Sequence, residues 1–351
     1  MINFFKIVII NFFIGLILFI SIELTFGYWF DEDNLGPYMR EYRMRKNNYS
    51  IIYEEKKYEF IYKRNYYGFR GDEVPLEKIS AVFMGGSTAD ERYKPDQFTI
   101  TGLINNKISN EAKDVKLFNA GIEGQTTRGH MANLKFWFPK LKNFKPKYLI
   151  YYIGINDQYL KHGEVDQHDG VVIDSNIRQS NWDNIKTRSI FYDLARKTKH
   201  RFYNSDKKIL YDFDLGIKKY NERKKSRFSF LSYKEFIKKN SIEEILKSQN
   251  KSFKNYLKRV DTLYNETIKM GAIPIFINQL DSTGFQNKQL ITLNIFLIDH
   301  CNKRKYYCVD LAKELEGKND YWWDGIHTSP KGSEAIANIV APKLIEIFKK
   351  N

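Results

Sequence analysis

Residues 79–90 read ISAVFMGGSTAD: an apolar run of strand length, two glycines, then a serine opening a short polar stretch. Such a run suits a strand buried on both faces, and Gly85 and Gly86 allow the chain to turn sharply from strand into helix. The same shape recurs as VKLFNAG (115–121), YLIYYIG (148–154), AIPIFIN (272–278) and YYCVDLA (306–312). Between the runs, stretches near 96–111, 127–143, 242–270, 286–304 and 331–349 carry the i, i+3, i+4 apolar spacing of crossover helices. In the last of them Ile336, Ile339, Val340 and Leu344 form the sheet-facing stripe. Strands alternating with helices predict an α/β domain with a five-stranded parallel sheet covered on both faces. The interval 155–271 exceeds one crossover and predicts an insertion.

Ligands of an open α/β sheet bind at the carboxyl ends of its strands, so the strand exits are where chemistry is expected. At the first exit Ser87 follows Gly85-Gly86, the way a nucleophile is presented; a plain helix N-cap reads the same. At the second, NAGIEGQTT (119–127), Gly124 lets a backbone N–H approach a ligand, or simply makes a turn. At the third, YIGINDQ (152–158), Asn156 can donate a side-chain hydrogen bond into the crevice or form an Asx-turn, and Asp157 reads as securing that turn. Near the C-terminus, WWDGIHTSPKG (322–332) holds Asp324 and His327 three apart on a loop, a spacing that lets a carboxylate orient an imidazole. Trp322 and Trp323 could stack on a sugar ring or pack beside the loop, and Gln279 and Asp281, after the fourth strand, could touch substrate or sit in a solvated loop. The other histidines, His130, His162, His168, His200 and His300, are assigned no role.

Taken in order, GGST (85–88), Gly124 in IEGQTT, GIND (154–157) and DGIH (324–327) resemble the four blocks of the SGNH hydrolases, the GDSL-like esterases, over about residues 79–349. Gly86 departs from the aspartate usual before the nucleophile, a variant that also occurs in membrane-anchored members, and GFRG (68–71) looks like those members too. The resemblance implies a flavodoxin-like three-layer α/β/α sandwich. It also implies Ser87 as nucleophile, His327 as general base and acid, and Asp324 as orienting carboxylate. The implied oxyanion hole is the Ser87 N–H, the Gly124 N–H and the Asn156 amide, with no metal or other cofactor. The activity implied is hydrolysis of an acyl ester, an O-acetyl on a glycan. Transfer of the acyl group to a polysaccharide hydroxyl by the same residues is the alternative, and a non-catalytic glycan-binding assembly protein is the reading from another class.

The run IVIINFFIGLILFISI (7–22) has no charge and is followed by Phe26, Tyr28, Trp29 and Phe30. It predicts an uncleaved signal anchor over residues 1–30, provided that Glu23 faces a headgroup or a partner. A small-residue cleavage site is missing from SIELTFGYWF, which disfavours a removed signal peptide. The flanking charges, Lys6 before and Arg40, Arg43, Arg45 and Lys46 after, do not favour export. The catalytic domain is nonetheless expected outside the cytoplasm, as the motif resemblance implies. Residues 31–75, polar and tyrosine-rich, read as a juxtamembrane segment, and 76–351 as the hydrolase-like domain with its insertion at about 158–240.

Of the 351 residues, 57 are Lys or Arg and 42 Asp or Glu, a formal charge of +15. Residues 196–260 alone hold 20 basic and 7 acidic residues, so nearly all of the surplus is local. No recognition motif accompanies it, which argues against nucleic acid. The segment 196–240 is expected against an anionic membrane surface or an acidic polysaccharide. Cys301 and Cys308 lack metal or redox spacing and are expected as buried free thiols.

Overall fold

The computed structural model describes residues 2–30, 46–109, 111–160, 185, 188–203, 208–225, 229–247 and 251–351. Arg40, Arg43 and Arg45, and residues 161–184 of the predicted insertion, lie outside the described residues.

Five parallel strands form the main sheet: β3 (Ala81–Gly85), β4 (Leu117–Asn119), β5 (Tyr148–Tyr152), β7 (Ile273–Ile277) and β8 (Tyr307–Val309), in the order β4-β3-β5-β7-β8. All five coincide with the five apolar runs. Along each strand successive side chains point to opposite faces. Phe83, Tyr148, Ile150, Tyr152, Ile275 and Ile277 therefore enter one core, and Val82, Met84, Leu149, Tyr151 and Phe276 the other. The first core is closed by α3 (Ile100–Ile108) and α9 (Pro330–Lys350), where Ile336, Val340 and Leu344 are buried as the stripe predicts. The second is closed by α4 (Thr127–Ala132), α7 (Lys251–Lys269) and α8 (Lys288–Arg304). A continuous apolar strand is stable only when both faces are covered, as here. The flavodoxin-like order reverses between β3 and β5, which puts a crevice at their carboxyl ends.

Other elements depart from the reading. The 127–143 stretch is α-helical only to Ala132, then continues as a wider π turn, Asn133–Trp137, and a 3₁₀ turn, Phe138–Lys140. The segment read as juxtamembrane contains a β-hairpin, β1 (Lys46–Tyr53) with β2 (Lys56–Lys63). Its edge is paired in parallel by β6 (Lys208–Asp212) from the insertion, making a second, three-stranded sheet. The hairpin carries no clean alternation, since its exposed positions mix Asn48, Lys57, Glu59 and the apolar Ile61, and its turn, Glu54-Glu55, uses two non-glycine residues at positive φ. Two basic helices flank β6: α5 (Ile190–Tyr203) before it and α6 (Phe213–Lys225) after it.

Cys301, at the end of α8, and Cys308, in β8, are disulfide-bonded, which corrects the free-thiol reading. Lys305 takes a left-handed conformation that ends α8, and the chain turns straight back into β8. The two Cα atoms lie 6.3 Å apart, within the range a disulfide spans.

At the N-terminus α1 (Ile2–Phe26) is the one described helix long and apolar enough to cross a membrane, over Phe4–Phe26. Its apolar side chains are almost all exposed in the protein.

Candidate active site

The strand β3 ends in the tight turn the sequence implies. A Cβ on Gly85 would lie 2.6 Å from the Ala89 Cβ, and one on Gly86 would lie 2.1 Å from Asn156 Nδ2. Glycine at both positions lets α2 (Ser87–Asp90) start directly at the sheet edge with Ser87 as its first residue. Glu91, in the left-handed region at φ 46°, ends the turn.

Against Ser87 lies the loop before α9. His327 Nε2 is 2.9 Å from Ser87 Oγ, and His327 Nδ1 is 2.7 Å from Asp324 Oδ2. The other Asp324 oxygen accepts from the N–H groups of Ile326 and His327 at 2.8 and 2.7 Å, so the carboxylate folds its own loop as well as orienting the ring. Burial alone would raise the Asp324 carboxyl. The hydrogen bonds and charge of His327, with those two N–H groups, outweigh burial and hold it below the usual carboxylate range. With a carboxylate acceptor fixed at Nδ1, that nitrogen carries the proton and Nε2 is left as an acceptor facing the serine hydroxyl.

The two glycine and asparagine blocks meet on the other side of Ser87. Gly124 has φ +77°, and the carbonyl of the next residue, Gln125, accepts from Asn156 Nδ2 at 2.9 Å. Gln125 is held in turn by reciprocal amide bonds with Asn133 at 2.9 and 3.1 Å. The Asn156 amide thus sits against Gly86, immediately before the serine. Asp157 secures the arrangement beyond its own turn: it accepts from Thr127 N and Oγ1 at 3.1 and 2.5 Å, at the start of α4, with Arg259 3.6 Å away.

Four other expected residues divide. Gln279 and Asp281 are buried rather than solvated or open to substrate. Gln279 braces the site, accepting from Ile155 N at 2.9 Å and donating to Thr88 Oγ1 at 2.8 Å, which locks α2 to the asparagine loop. Asp281 is taken up by Thr283 and Asn287. Trp322 is fully buried and stacks on Phe230, so it belongs to the core rather than to a binding surface. Trp323 remains partly open and stacks on the His327 ring with centroids 5.9 Å apart.

Sequence reasoning missed the rest of that aromatic surface. Tyr211 of β6 lies 4.0 Å from the Trp323 ring, and Tyr93 lies 5.6 Å from His327 and 4.9 Å from Tyr211. Arg92 pairs with Glu123 at 2.6 Å on the same rim. No local pattern marks Tyr211, whose partners on this rim, Tyr93 and Trp323, are more than 100 positions away in the chain. The ion pair Glu91–Lys94, entirely buried, was missed as well: Lys94 Nζ donates to the Thr328 carbonyl at 2.9 Å, and Glu91 accepts from Ser333 Oγ at 2.8 Å. Among the described residues no three His, Cys, Asp or Glu side chains converge as a metal site.

No family model matches the chain, and no curated protein matches it. Solved structures with a distant likeness include a lipolytic protein of the G-D-S-L family from Desulfitobacterium hafniense, at 10% identity and a TM-score of 0.40, over 75% of this chain and 98% of that one. An acetylxylan esterase from Geobacillus stearothermophilus is similar at 13% identity and a TM-score of 0.41, over 76% and 94%. A GDSL-like lipase from Bacteroides thetaiotaomicron is similar at 12% identity and 0.38, over 79% and 92%. Likenesses this distant carry nothing about activity, and the chemistry must be read from the residues around Ser87.

Proposed function

We propose that the chain is a membrane-anchored serine esterase of the SGNH type that removes an acyl group, in the first instance acetyl, from a glycan. The observation that carries this reading is the continuous hydrogen-bonded line from Asp324 through His327 to Ser87 Oγ. Ser87 Oγ attacks the ester carbonyl as Nε2 of His327 takes its proton, and the Asp324 carboxylate stabilises the imidazolium. Negative charge collects on the carbonyl oxygen, where the Ser87 N–H at the start of α2, the Gly124 N–H and the Asn156 amide are the proposed donors. One such donor contributes about 3–4 kcal/mol of barrier lowering. Collapse of the intermediate breaks the ester C–O bond, the imidazolium returns the proton to the leaving alcohol, and water, deprotonated by His327, then releases the acid and restores Ser87.

The partly open rings of Tyr93, Tyr211 and Trp323 support a sugar as the alcohol side, since aromatic faces suit the apolar faces of a pyranose. Exposed Lys218, Lys219, Arg223 and Lys225 lie on α6, where a Cβ placed on Gly216 would come 3.9 Å from the Trp323 ring. Their position supports an acidic polysaccharide as the carrier. The Cys301–Cys308 disulfide supports a domain outside the cytoplasm, because thiols stay reduced inside.

Ser87→Ala and His327→Ala are each expected to reduce turnover of a chromogenic acetyl ester by about 1,000-fold or more while the protein remains folded. Undiminished turnover in either purified variant would sink the triad. Assay with an acetyl donor, with and without an oligosaccharide acceptor, separates the outcomes: free acetate alone marks an esterase, and an acylated acceptor marks a transferase.

A further inference from the structure

Glu23 is the one carboxylate of a largely apolar helix, three residues from its end, yet it is 6% exposed. A charge at that depth is costly unless partnered within the protein. All but one of its partners come from the insertion. Ser189 Oγ donates to Glu23 at 2.5 Å and the N–H groups of Ile190 and Phe191 at 3.1 and 3.4 Å, while Trp29 Nε1 donates at 3.0 Å. Ser189 itself accepts from Tyr192 N at 3.1 Å, as an N-cap does. Glu23 therefore sits at the amino end of α5, where unsatisfied N–H groups and the helix dipole favour a negative charge.

Two further contacts fix the register. Tyr28 N donates to the Arg188 carbonyl at 2.8 Å and the Arg188 guanidinium to the Trp29 carbonyl at 2.9 Å. Deeper, Phe191 stacks face to face on Phe19 with ring centroids 4.6 Å apart. Phe19 stands seven residues before the end of the apolar span at Phe26, about 10 Å inward at 1.5 Å per residue. The span itself, Phe4–Phe26, is about 35 Å long, little more than the hydrocarbon core of roughly 30 Å. If α1 crosses a bilayer, the ring of Phe191 lies below the membrane surface, and Leu194, one turn further along α5, is 58% exposed.

We infer that the first turns of α5 are embedded in the bilayer beside α1, latched there by Glu23, so that the protein meets the membrane through two elements. This rests on the membrane-anchor reading of α1 and not on the esterase reading. The chain after α5 runs on to β6, which carries Tyr211 to the rim of the site. The embedded turn would hold that rim at a set height above the lipid.

The test uses the full-length chain in phosphatidylcholine vesicles, with an environment-sensitive fluorophore on single introduced cysteines; Cys301 and Cys308 are paired and do not label. Probes go at Leu194→Cys, at Phe12→Cys in the middle of α1, and at Glu346→Cys on the exposed side of α9. The expected result is blue-shifted emission and several-fold quenching by nitroxide-labelled lipid at positions 12 and 194 and none at 346. Quenching at 12 with none at 194 overturns the inference and leaves the anchor standing; no quenching at either overturns both. Adding Glu23→Leu is expected to remove the quenching at 194, whereas Glu23→Gln, which keeps an acceptor oxygen, preserves it. Quenching at 194 that survives Glu23→Leu overturns the latch.

Discussion

At position 86 the hydrogen side chain of glycine decides where the Asn156 amide can sit. Alanine there would put a methyl carbon 2.1 Å from Asn156 Nδ2, and the amide, already tied to the Gln125 carbonyl, would have to leave. Aspartate, usual at this place in the resembled family, would need the asparagine elsewhere. Gly86→Ala and Asn156→Ala are each expected to cost about 100-fold in kcat on an acetyl ester with little change in KM. Because both remove the same donor, the double variant should be no worse than either single; additive losses would refute the shared cause. His130, on α4, is a second residue with a readable consequence. It is buried, and among the described residues neither ring nitrogen has a hydrogen-bond partner. Burial pushes its pKa down to about 3, so the folded state keeps it neutral while the unfolded chain takes up a proton below about 6.5. Stability should therefore fall as pH drops from about 6.5 towards 3, by about 1.4 kcal/mol per unit from this group. Urea unfolding of the solubilised protein at pH 7 and pH 5 checks it: His130→Leu should lessen the difference by about 2 kcal/mol, and parallel behaviour of the two proteins would remove the argument.

Among the elements, α2 and α9 carry the serine and follow the histidine, and they are joined by buried charge. Lys94 pairs with Glu91 and bonds the carbonyl and hydroxyl of Thr328, the residue after His327, and Ser333 in the first turn of α9. Glu91 also accepts from Ile100 N at the start of α3. Burial lowers the Lys94 pKa, with Glu91 opposing it. Lys94→Met would leave a carboxylate buried without its counter-charge, and a loss of about 3–5 kcal/mol in thermal unfolding is expected. Glu91→Gln combined with Lys94→Met removes both charges at nearly constant volume and should recover most of that loss. A double variant as unstable as the single would show that packing, and not the unpaired charge, is what Lys94 supplies. The neighbouring hairpin is attached by the same device: Arg64 of the segment after β2 pairs with Asp90 of α2 at 2.7 Å, both buried, and Tyr62 donates to Asp90 at 2.8 Å.

For the whole molecule the +15 charge resolves into a local surface. Lys224, counted with that surplus, is buried with its ammonium on the Ser282 carbonyl, so it does not belong to the outward face; Arg227 lies outside the described residues. Changing Lys218, Lys219, Arg223 and Lys225 to glutamine is expected to weaken sedimentation with anionic vesicles or retention on an acidic polysaccharide, by about 1 kcal/mol per charge near the surface at low salt. Binding unchanged by the four substitutions would remove the anionic-partner reading. The sequence by itself determined the main sheet, because strands buried on both faces must be written as apolar runs and their exits as glycine turns. It also pointed to Ser87, Gly124 and Asn156, because topology brings strand exits to one edge whatever the side chains between them. The hydrogen bonds that carry Asp324 and His327 to Ser87 depend instead on how the loop before α9 folds back over that edge. Only the tertiary structure decided what lies across that edge. Gln279 became a brace, Trp322 core and Tyr211 rim; Glu23 found its partner 166 positions away; the two cysteines paired. Each of these depends on which distant surface the chain folds against, and burial and partnership across such distances leave no period or local spacing in a sequence to be read.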